Sequence, residues 1–564
     1  MRRIVALVAL LTIVTASAAR AQLLRGIVRD STMGNALAGV VVQVIDSAGR
    51  AGARTISDPD GRFALPLASA SARLRAMRIG YRPSEISLPA DRVGPVDIRM
   101  GHLPPMLDVV RVSDSELCPG SPERGAAFEI WQQARTGLLA TVVARDLNPA
   151  DASTITYTTT LSPNDLRVRR QTKNTVSGRT TRPFVASAAP SFFARMGYML
   201  ENGPTRIFNA PDADVLIDES FAATHCFRLR RADNAHAGQV GLAFTPVGGR
   251  DTLVDVDGVI WVDARTPQLR SLDFTYTSLE PAAMDADAGG HIEFQTMKNG
   301  VSFIDRWNLR LAGLQQPMGA VHRNMQPGVK LRRTDLTELR VGELVDAGGV
   351  VLRASWPDGT RWEAPKSAVN GVVVGKGNGQ PVAGAVVTLN GTPDTVRTDS
   401  TGHFRIETLP GKYLLEATDT TLGMFVKPRN QSTAVDIRLG AEVSARLEVE
   451  PIERVVGGIC RGQPMPPGSG LIVGVIGVNG GDLPGDAFVE ATFQQISSTE
   501  YSVGSKQTIS PDDRGRFVVC GTPRDRKVQL SLKTPRAALA DTAVIVPREG
   551  VTHRVLWVVP AVRP

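Results

Sequence analysis

One phrase recurs three times in this chain and constrains its fold more than any other feature. It opens with Gly on an apolar strand, continues into a second apolar strand entered through Gly, and closes in an Asp-rich hairpin ending in Gly, a basic or imidazole residue and Phe. The clearest copy runs Gly371-Val372-Val373-Val374, then Gly384-Ala385-Val386-Val387, then Thr398-Asp399-Ser400-Thr401-Gly402-His403-Phe404. The first copy reads Gly26-Ile27-Val28, Gly39-Val40-Val41-Val42 and Asp58-Pro59-Asp60-Gly61-Arg62-Phe63. Pro presets its own backbone, Asp caps the turn with its side chain and Gly takes the positive φ, so these are hairpins with a mechanism. The alternation Arg62, Phe63, Ala64, Leu65 marks a strand with one buried face. Short strands with turn signals at this spacing predict β-sandwiches. A third, looser copy lies near residues 455 to 560. Taking Gly458 as its opening glycine, the interval to Gly515 is 57 residues, against 31 from Gly371 to Gly402 and 35 from Gly26 to Gly61.

These three segments resemble carboxypeptidase regulatory-like domains, small prealbumin-like β-sandwiches found beside peptidases and at the front of outer-membrane receptors. The features that carry the resemblance are the Gly-opened strand, the Gly-Ala-Val or Gly-Val-Val second strand and the Asp…Gly-x-Phe hairpin. Arg78-Ile79-Gly80-Tyr81 is similar to the Gly-Tyr element of the receptor-associated form. The resemblance implies a scaffold, a stabiliser or a binding surface in a bacterial envelope, and it brings no catalytic residues.

The first 21 residues have the layout of a secretory signal, with Arg2 and Arg3, an apolar run from Ile4 to Ala16, and small residues at Ala19 and Ala21. That run is too short to span a membrane as a helix, which takes ~20 residues. The expected mature chain is exported, with no transmembrane segment after signal cleavage, in the periplasm, at the outer membrane or outside the cell. In such an oxidising compartment the four cysteines, none in a Cys-x-x-Cys arrangement, are expected to bridge, Cys118 with Cys226 and Cys460 with Cys520. The net charge of +8, from 64 Lys and Arg against 56 acids, is spread thinly. Its short clusters, Arg167/Arg169/Arg170, Arg228/Arg230/Arg231 and Lys330/Arg332/Arg333, lack the interleaved aromatics of a single-strand binding face. Nucleic acid is therefore not an expected partner.

From Cys118 the pattern changes. Ser121-Pro122-Glu123 is a helix start, with a hydroxyl cap, Pro in the first turn and an acid facing the dipole. Ala127, Trp131, Ala134 and Leu138 then recur at helical spacing, which predicts one long amphipathic helix to about Ala144. Strand patterns follow, among them Val259-Ile260-Trp261-Val262, Leu272-Asp273-Phe274 and Trp307-Asn308-Leu309, so a sheet wrapped beside that helix is expected. The stretch from Gly258 with Leu272-Asp273-Phe274 is similar to envelope lipoprotein-carrier half-barrels, which implies an apolar-ligand cavity. Phe192, Phe193, Met196, Tyr198 and Leu200 are its candidate lining, with ordinary core as the alternative.

Motifs for chemistry are missing. There is no His-x-x-Glu zinc pair, no Gly-x-Ser-x-Gly elbow and no phosphate-binding loop of the Gly-x-x-x-x-Gly-Lys-Ser/Thr type. Asp58/Asp60, Asp255/Asp257 and Asp512/Asp513 each precede a Gly and read as turns before calcium loops. Asp212, Asp214, Asp218 and Glu219 form a denser group, read as an exposed loop with a weak cation site as the alternative. No catalytic, cofactor or metal residue is assigned. The expected architecture is mainly β and multidomain, prealbumin-like or Ig-like β-sandwiches flanking a central helix-plus-antiparallel-sheet domain. In order these are a signal (1–21), a sandwich (22–101), a linker (102–117), a central α+β domain (118–345), a linker (346–368), a second sandwich (369–440) and a third, divergent one (455–564). The expected function is a non-enzymatic exported binding or scaffold protein whose partner is an envelope protein, a polysaccharide or an apolar ligand. The alternatives are a carrier of an apolar or lipid ligand and an envelope hydrolase, each sited in the central domain.

Overall fold

The computed structural model describes residues 22–67, 73–88, 94–103, 117–121, 126–180, 188–202, 205–266, 268–298, 300, 302–315, 339–377, 379–418, 432–450, 459–463, 465–466, 468–479, 483–496, 502–546 and 552–560. The signal-like segment, Pro122 and Glu123 of the helix start, the Lys330/Arg332/Arg333 cluster and Gly458 lie outside the described residues. The chain forms two compact units, Met1–Asn164 with Thr172–Ala364, and Asp165–Gln171 with Pro365–Pro564.

The first unit opens with a sandwich of β1 (Gln22–Asp30), β2 (Val41–Ile45), β3 (Ala51–Ile56), β4 (Arg62–Leu67), β5 (Arg73–Met77), β6 (Ser84–Ser87) and β7 (Val96–Met100). One sheet runs β4-β1-β7, with β1 antiparallel to β4 and parallel to β7, and the other runs β3-β2-β5-β6. Gly26 pairs with Phe63 across the first sheet, and a Cβ on Gly26 would lie 2.4 Å from that ring. The opening glycine therefore exists to let the hairpin phenylalanine cross its strand. The hairpin works as its residues predict. The Asp58 carboxylate accepts from the backbone N–H groups of Asp60 and Arg62 at 3.0 and 2.8 Å, and Gly61 sits at φ 72°.

Next comes α1 (Ala126–Leu147), rich in Ala, Leu, Gln and Arg, which favour helix. The sequence pattern predicts a single apolar stripe, yet the helix is buried on most of its surface because two layers claim it. Ile130, Trp131, Ala134, Leu138 and Val142 join the core of the central sheet, while Ala140, Val143 and Ala144 pack on Val41 and Ile56 of the sandwich. The Gly-Tyr element serves this joint, since the N–H of Gly80 donates to Gln133 Oε1 at 2.6 Å and Ile79 lies against Gly137.

The central domain continues through β8 (Ala150–Leu161), β9 (Val168–Thr180), α2 (Pro190–Met196), β10 (Met199–Asn202), β11 (Thr205–Phe208), α3 (Ala213–Ile217), α4 (Glu219–Ala222), β12 (His225–Arg231), β13 (Gln239–Pro246), β14 (Val256–Asp263) and β15 (Leu269–Tyr276). It ends with α5 (Pro281–Met284), β16 (Gly289–Thr296), β17 (Ser302–Gln315), β18 (Arg340–Ser355) and β19 (Arg361–Glu363). Its main sheet runs β12-β13-β14-β15-β16-β17-β18-β8-β9, with β19 beside β18. Residues 346–368, expected as a linker, thus supply much of β18 and all of β19. The Gly348-Gly349 pair does not interrupt β18, because these glycines make room for rings, with Tyr157 over the first and Trp307 over the second.

In the second unit, β20 (Ala368–Gly375), β21 (Val386–Leu389), β22 (Thr395–Arg397), β23 (His403–Glu407), β24 (Gly411–Thr418), β25 (Thr433–Ile437) and β26 (Glu442–Val449) repeat the first sandwich. Its sheets run β23-β20-β26 and β22-β21-β24-β25. The segment after 440, expected as a connection, is its parallel closing strand. The third sandwich consists of β27 (Gly470–Asn479), β28 (Phe488–Ile496), β29 (Ser502–Ile509), β30 (Arg516–Thr522), β31 (Lys527–Lys533), β32 (Ala538–Ile545) and β33 (Thr552–Pro560). Its sheets, β30-β27-β33 and β29-β28-β31-β32, have the same order again.

The register corrects the reading of that third copy. Gly371 pairs with Phe404 and Gly474 pairs with Phe517, as Gly26 does with Phe63. The residue two places after each glycine then donates its N–H to the hairpin glycine, Val28 to Gly61, Val373 to Gly402 and Ile476 to Gly515, at 2.8–2.9 Å. The third opening glycine is therefore Gly474, not Gly458, and its interval to Gly515 is 41 residues. A real difference remains one step before the hairpin Asp. Ser57 and Thr398 are buried and bond to the second strand there, whereas the third copy has Pro511.

Candidate functional site

Alternation along the central strands separates two faces. Ile260, Leu272, Phe274, Ile292 and Trp307 point toward α1, where they join Trp131, Phe193, Tyr198, Phe227 and Phe244 in a filled core. Of the residues expected to line an apolar cavity, Phe193 and Tyr198 are stacked and buried in this core, and Met196 is exposed. The other face sets polar residues beside a buried apolar patch of Ala243, Val259 and Trp261, and the register arranges it in rows. One row crosses the strands as Asp257, Thr275, Gly289, Arg310, Asp346 and Thr159. The next reads Val259, Asp273, His291, Asn308, Gly348 and Tyr157, and a third reads Trp261, Ser271, Glu293, Arg306 and Val350.

A chain of ionisable groups runs over these rows. His236, between β12 and β13, stacks on Trp261 with ring centroids 3.9 Å apart, and its two nitrogens meet Asp233 at 2.7 Å and Asp273 at 3.3 Å. The Trp261 N–H donates to Asp273 at 2.8 Å. His291 lies between Asp273, at 2.5 Å, and Glu293, at 3.1 Å. Arg306 continues to Glu293 at 3.2 Å and Asp305 at 3.4 Å. Burial works against the charge of His291, but its hydrogen bonds to two carboxylates outweigh it and push the pKa up to about 9. Burial likewise opposes ionisation of Asp273, yet the hydrogen bond from His291 and the nearby imidazoles hold its pKa below the usual range. Asp305 is the extra residue of a β-bulge, where Glu293 pairs with Arg306 and Phe294 with Ile304. It is 1% exposed, one of its carboxylate oxygens has no partner among the described residues, and burial pushes it up to about 6.

Beside this network a cleft of about 330 Å³ opens over the first two rows. Gly289 and Gly290 lie in its floor, where the lack of a Cβ makes room for the β15 backbone and the Phe274 ring, and Asp257, Asp273, Asp287, Arg230, Arg310 and His291 line it with Thr275 and Asn308. With His291 protonated, its three acids face three cations. His291 pairs with Asp273 within the lining, and Arg310 pairs at 2.8 Å with Asp346, which lies outside it. Asp257 has no hydrogen-bond partner among the described residues, and burial holds it above the usual carboxylate range against the pull of Arg228 and Arg230.

The structure bridges Cys118 to Cys226 and Cys460 to Cys520, so His225 adjoins a sulfur that is no nucleophile. Asp255 does not act with Asp257. It is fully buried on a pair with Arg250 at 2.5 Å and lies 3.4 Å from His225, tying β14 to the backbone of α2, where Arg250 donates to the Ala194 carbonyl. The group read as an exposed loop is two capped helices. Asp212 accepts from Val215 N, Asp218 accepts from Ser220 N, and Asp214 pairs with Arg145 at 2.6 Å. The sequence reading missed the cleft and the His236–Asp273–His291 chain. Their signal was a polar residue at alternate positions of β15, β16 and part of β17, which any half-exposed strand shows.

Residues 24–101 and 368–446 each match the family model for the carboxypeptidase regulatory-like domain. No curated protein matches the chain. Among solved structures, shaft pilin SpaA of Lactobacillus rhamnosus GG is similar over 35% of this chain and 100% of its own, at 10% identity and a TM-score of 0.14. The Bacillus anthracis TIE protein is similar over 64% of each chain, at 13% identity and a TM-score of 0.15. A DUF3823 family protein of Parabacteroides merdae is similar over 32% of this chain and 98% of its own, at 15% identity and a TM-score of 0.13. TM-scores this low carry no argument about function. The first two sandwiches are thus similar to carboxypeptidase regulatory-like domains in sequence, and the third repeats their strand order in a multidomain, mainly β chain.

Proposed function

We propose that this chain is an exported, non-catalytic binding protein of the bacterial envelope, whose central sheet takes a polar ligand in the cleft over Asp257, Asp273 and Asn308. The cleft carries this reading, because it places hydrogen-bonding side chains from four strands around a glycine floor on a rigid element. The paired cysteines favour an oxidising compartment. The filled core on the α1 side favours the polar cleft over an apolar cavity. Thermal-shift screening of residues 22–564 against sugars, peptides and organic acids, beside the Asp257→Leu variant, tests it. Hits lost in the variant support the site; a panel without hits, or hits that survive the substitution, refutes it.

One observation favours a second reading as a hydrolase. Asp257 and Asp273 are diagonal neighbours on adjacent strands, about 7–8 Å apart in such a pair. Their environments push them in opposite directions, the pattern of an acid beside a base. Release of reducing ends from envelope polysaccharide that disappears in Asp257→Asn would establish it; no release by the native chain excludes it for that substrate.

A further inference from the structure

The geometry points to an uncharged, hydroxyl-rich glycan as the ligand of this cleft, an inference that rests on the binding reading above and names its chemistry. Three observations lead there. Two of the wall's three cations are already paired, His291 with Asp273 and Arg310 with Asp346, so they are not free to select an anionic ligand. It offers hydrogen bonding: the Asp257 carboxylate and the Thr275 hydroxyl in one row and the Asn308 amide in the next present acceptors and donors around the cleft, the equipment that pairs with ring hydroxyls. Apolar side-chain pockets, which a peptide's side chains would need, are missing from the lining, where Val259 and Phe274 are the two apolar residues and both are buried.

The orientation of the polar wall is fixed before any ligand arrives. Asp273 is held by Trp261, His236 and His291, so its free lone pairs face a constant direction. Asp257 is an uncommitted acceptor of that wall among the described residues.

Calorimetric titration of residues 22–564 with triacetylchitotriose, cellotriose and maltotriose, and with trialanine as the peptide probe, tests the inference. The expected result is binding of at least one trisaccharide, weakened about tenfold or more by Asp257→Leu and by Thr275→Arg. Raising salt should leave that affinity unchanged, since no ion pair is made. Thr275 is exposed, so its variant keeps the test open if Asp257→Leu fails to fold. Trialanine binding without sugar binding overturns the glycan inference and leaves the polar cleft standing. Sugar binding that survives both substitutions, or that falls steeply with salt, also overturns it, and silence from all four probes overturns it together with the cleft.

Discussion

The repeated glycines invite a test in which two of them answer differently. A Cβ on Gly474 would meet the Phe517 ring at 2.1, 2.3 and 2.9 Å, and these are its three nearest neighbours. A Cβ on Gly371 would instead lie 1.9 Å from the carbonyl oxygen of Ala445 on β26, with the Phe404 ring at 2.9 Å. Gly474→Ala therefore overpacks a side chain, which costs about 1–3 kcal/mol, while Gly371→Ala drives one backbone into another and costs at least as much. Trimming the ring should relieve the first and not the second. In a double-mutant cycle, Gly474→Ala with Phe517→Leu is expected to show a favourable coupling of about 1–2 kcal/mol, and Gly371→Ala with Phe404→Leu a coupling below about 0.5 kcal/mol. Native-state hydrogen exchange reads each sandwich separately through the amides of Ile476 and Val373, which donate to Gly515 and Gly402. Equal couplings in the two sandwiches, or a neutral Gly474→Ala, would refute the claim that the hairpin ring dictates Gly474 while the β26 backbone dictates Gly371.

Four further outcomes are expected. The Cys460–Cys520 bridge closes a separation of 60 residues, for which chain entropy gives about 4 kcal/mol, so the double Ser variant should lose about 2–4 kcal/mol in denaturant unfolding. The His291 ring titrates near 6.5 when unfolded and about 9 when folded, so its contribution to stability is complete below about pH 6.5 and fades as the pH rises through 9; an NMR titration showing a ring pKa at or below 6.5 would remove it. Asp305 has the opposite sign, because burial raises its carboxyl to about 6 and ionising it opposes folding. Stability should fall as the pH climbs from about 4 to 6, by at most about 3 kcal/mol, and Asp305→Asn should abolish that slope in pH-resolved unfolding. Gln133→Ala leaves the buried Gly80 N–H without its acceptor and should cost about 1–3 kcal/mol, seen as faster exchange at the joint between α1 and the first sandwich.

What the sequence made legible was local. The hairpins Asp58 to Phe63 and Asp399 to Phe404 could be read because the turn chemistry and the strand it starts are contiguous. Gly474 was missed because residues 468 to 485 hold many glycines, and only the register against Phe517 selects one of them. The strands after Asp346 were missed because the stretch carries few strand signals and its Trp356-Pro357-Asp358-Gly359 turn looks like a connection, while the rings of Tyr157 and Trp307 that lie on Gly348 and Gly349 are far away in the chain. The cleft was the least legible feature. Asp257, Asp273, His291 and Asn308 lie 16 to 18 residues apart on successive strands, and each alone is an ordinary outward-facing polar residue. Antiparallel pairing makes them neighbours, and no single strand announces it.

In the function proposed above the repeats build the scaffold and the cleft face of the central sheet binds. Hydrogen exchange of residues 22–564, with and without a saturating trisaccharide, tests it most directly. The account predicts protection concentrated in peptides covering 256–263, 269–276, 289–296 and 302–315, with the hairpins at 58–61, 399–402 and 512–515 unchanged. Protection confined to those hairpins, with β14 to β17 unaffected, would contradict it.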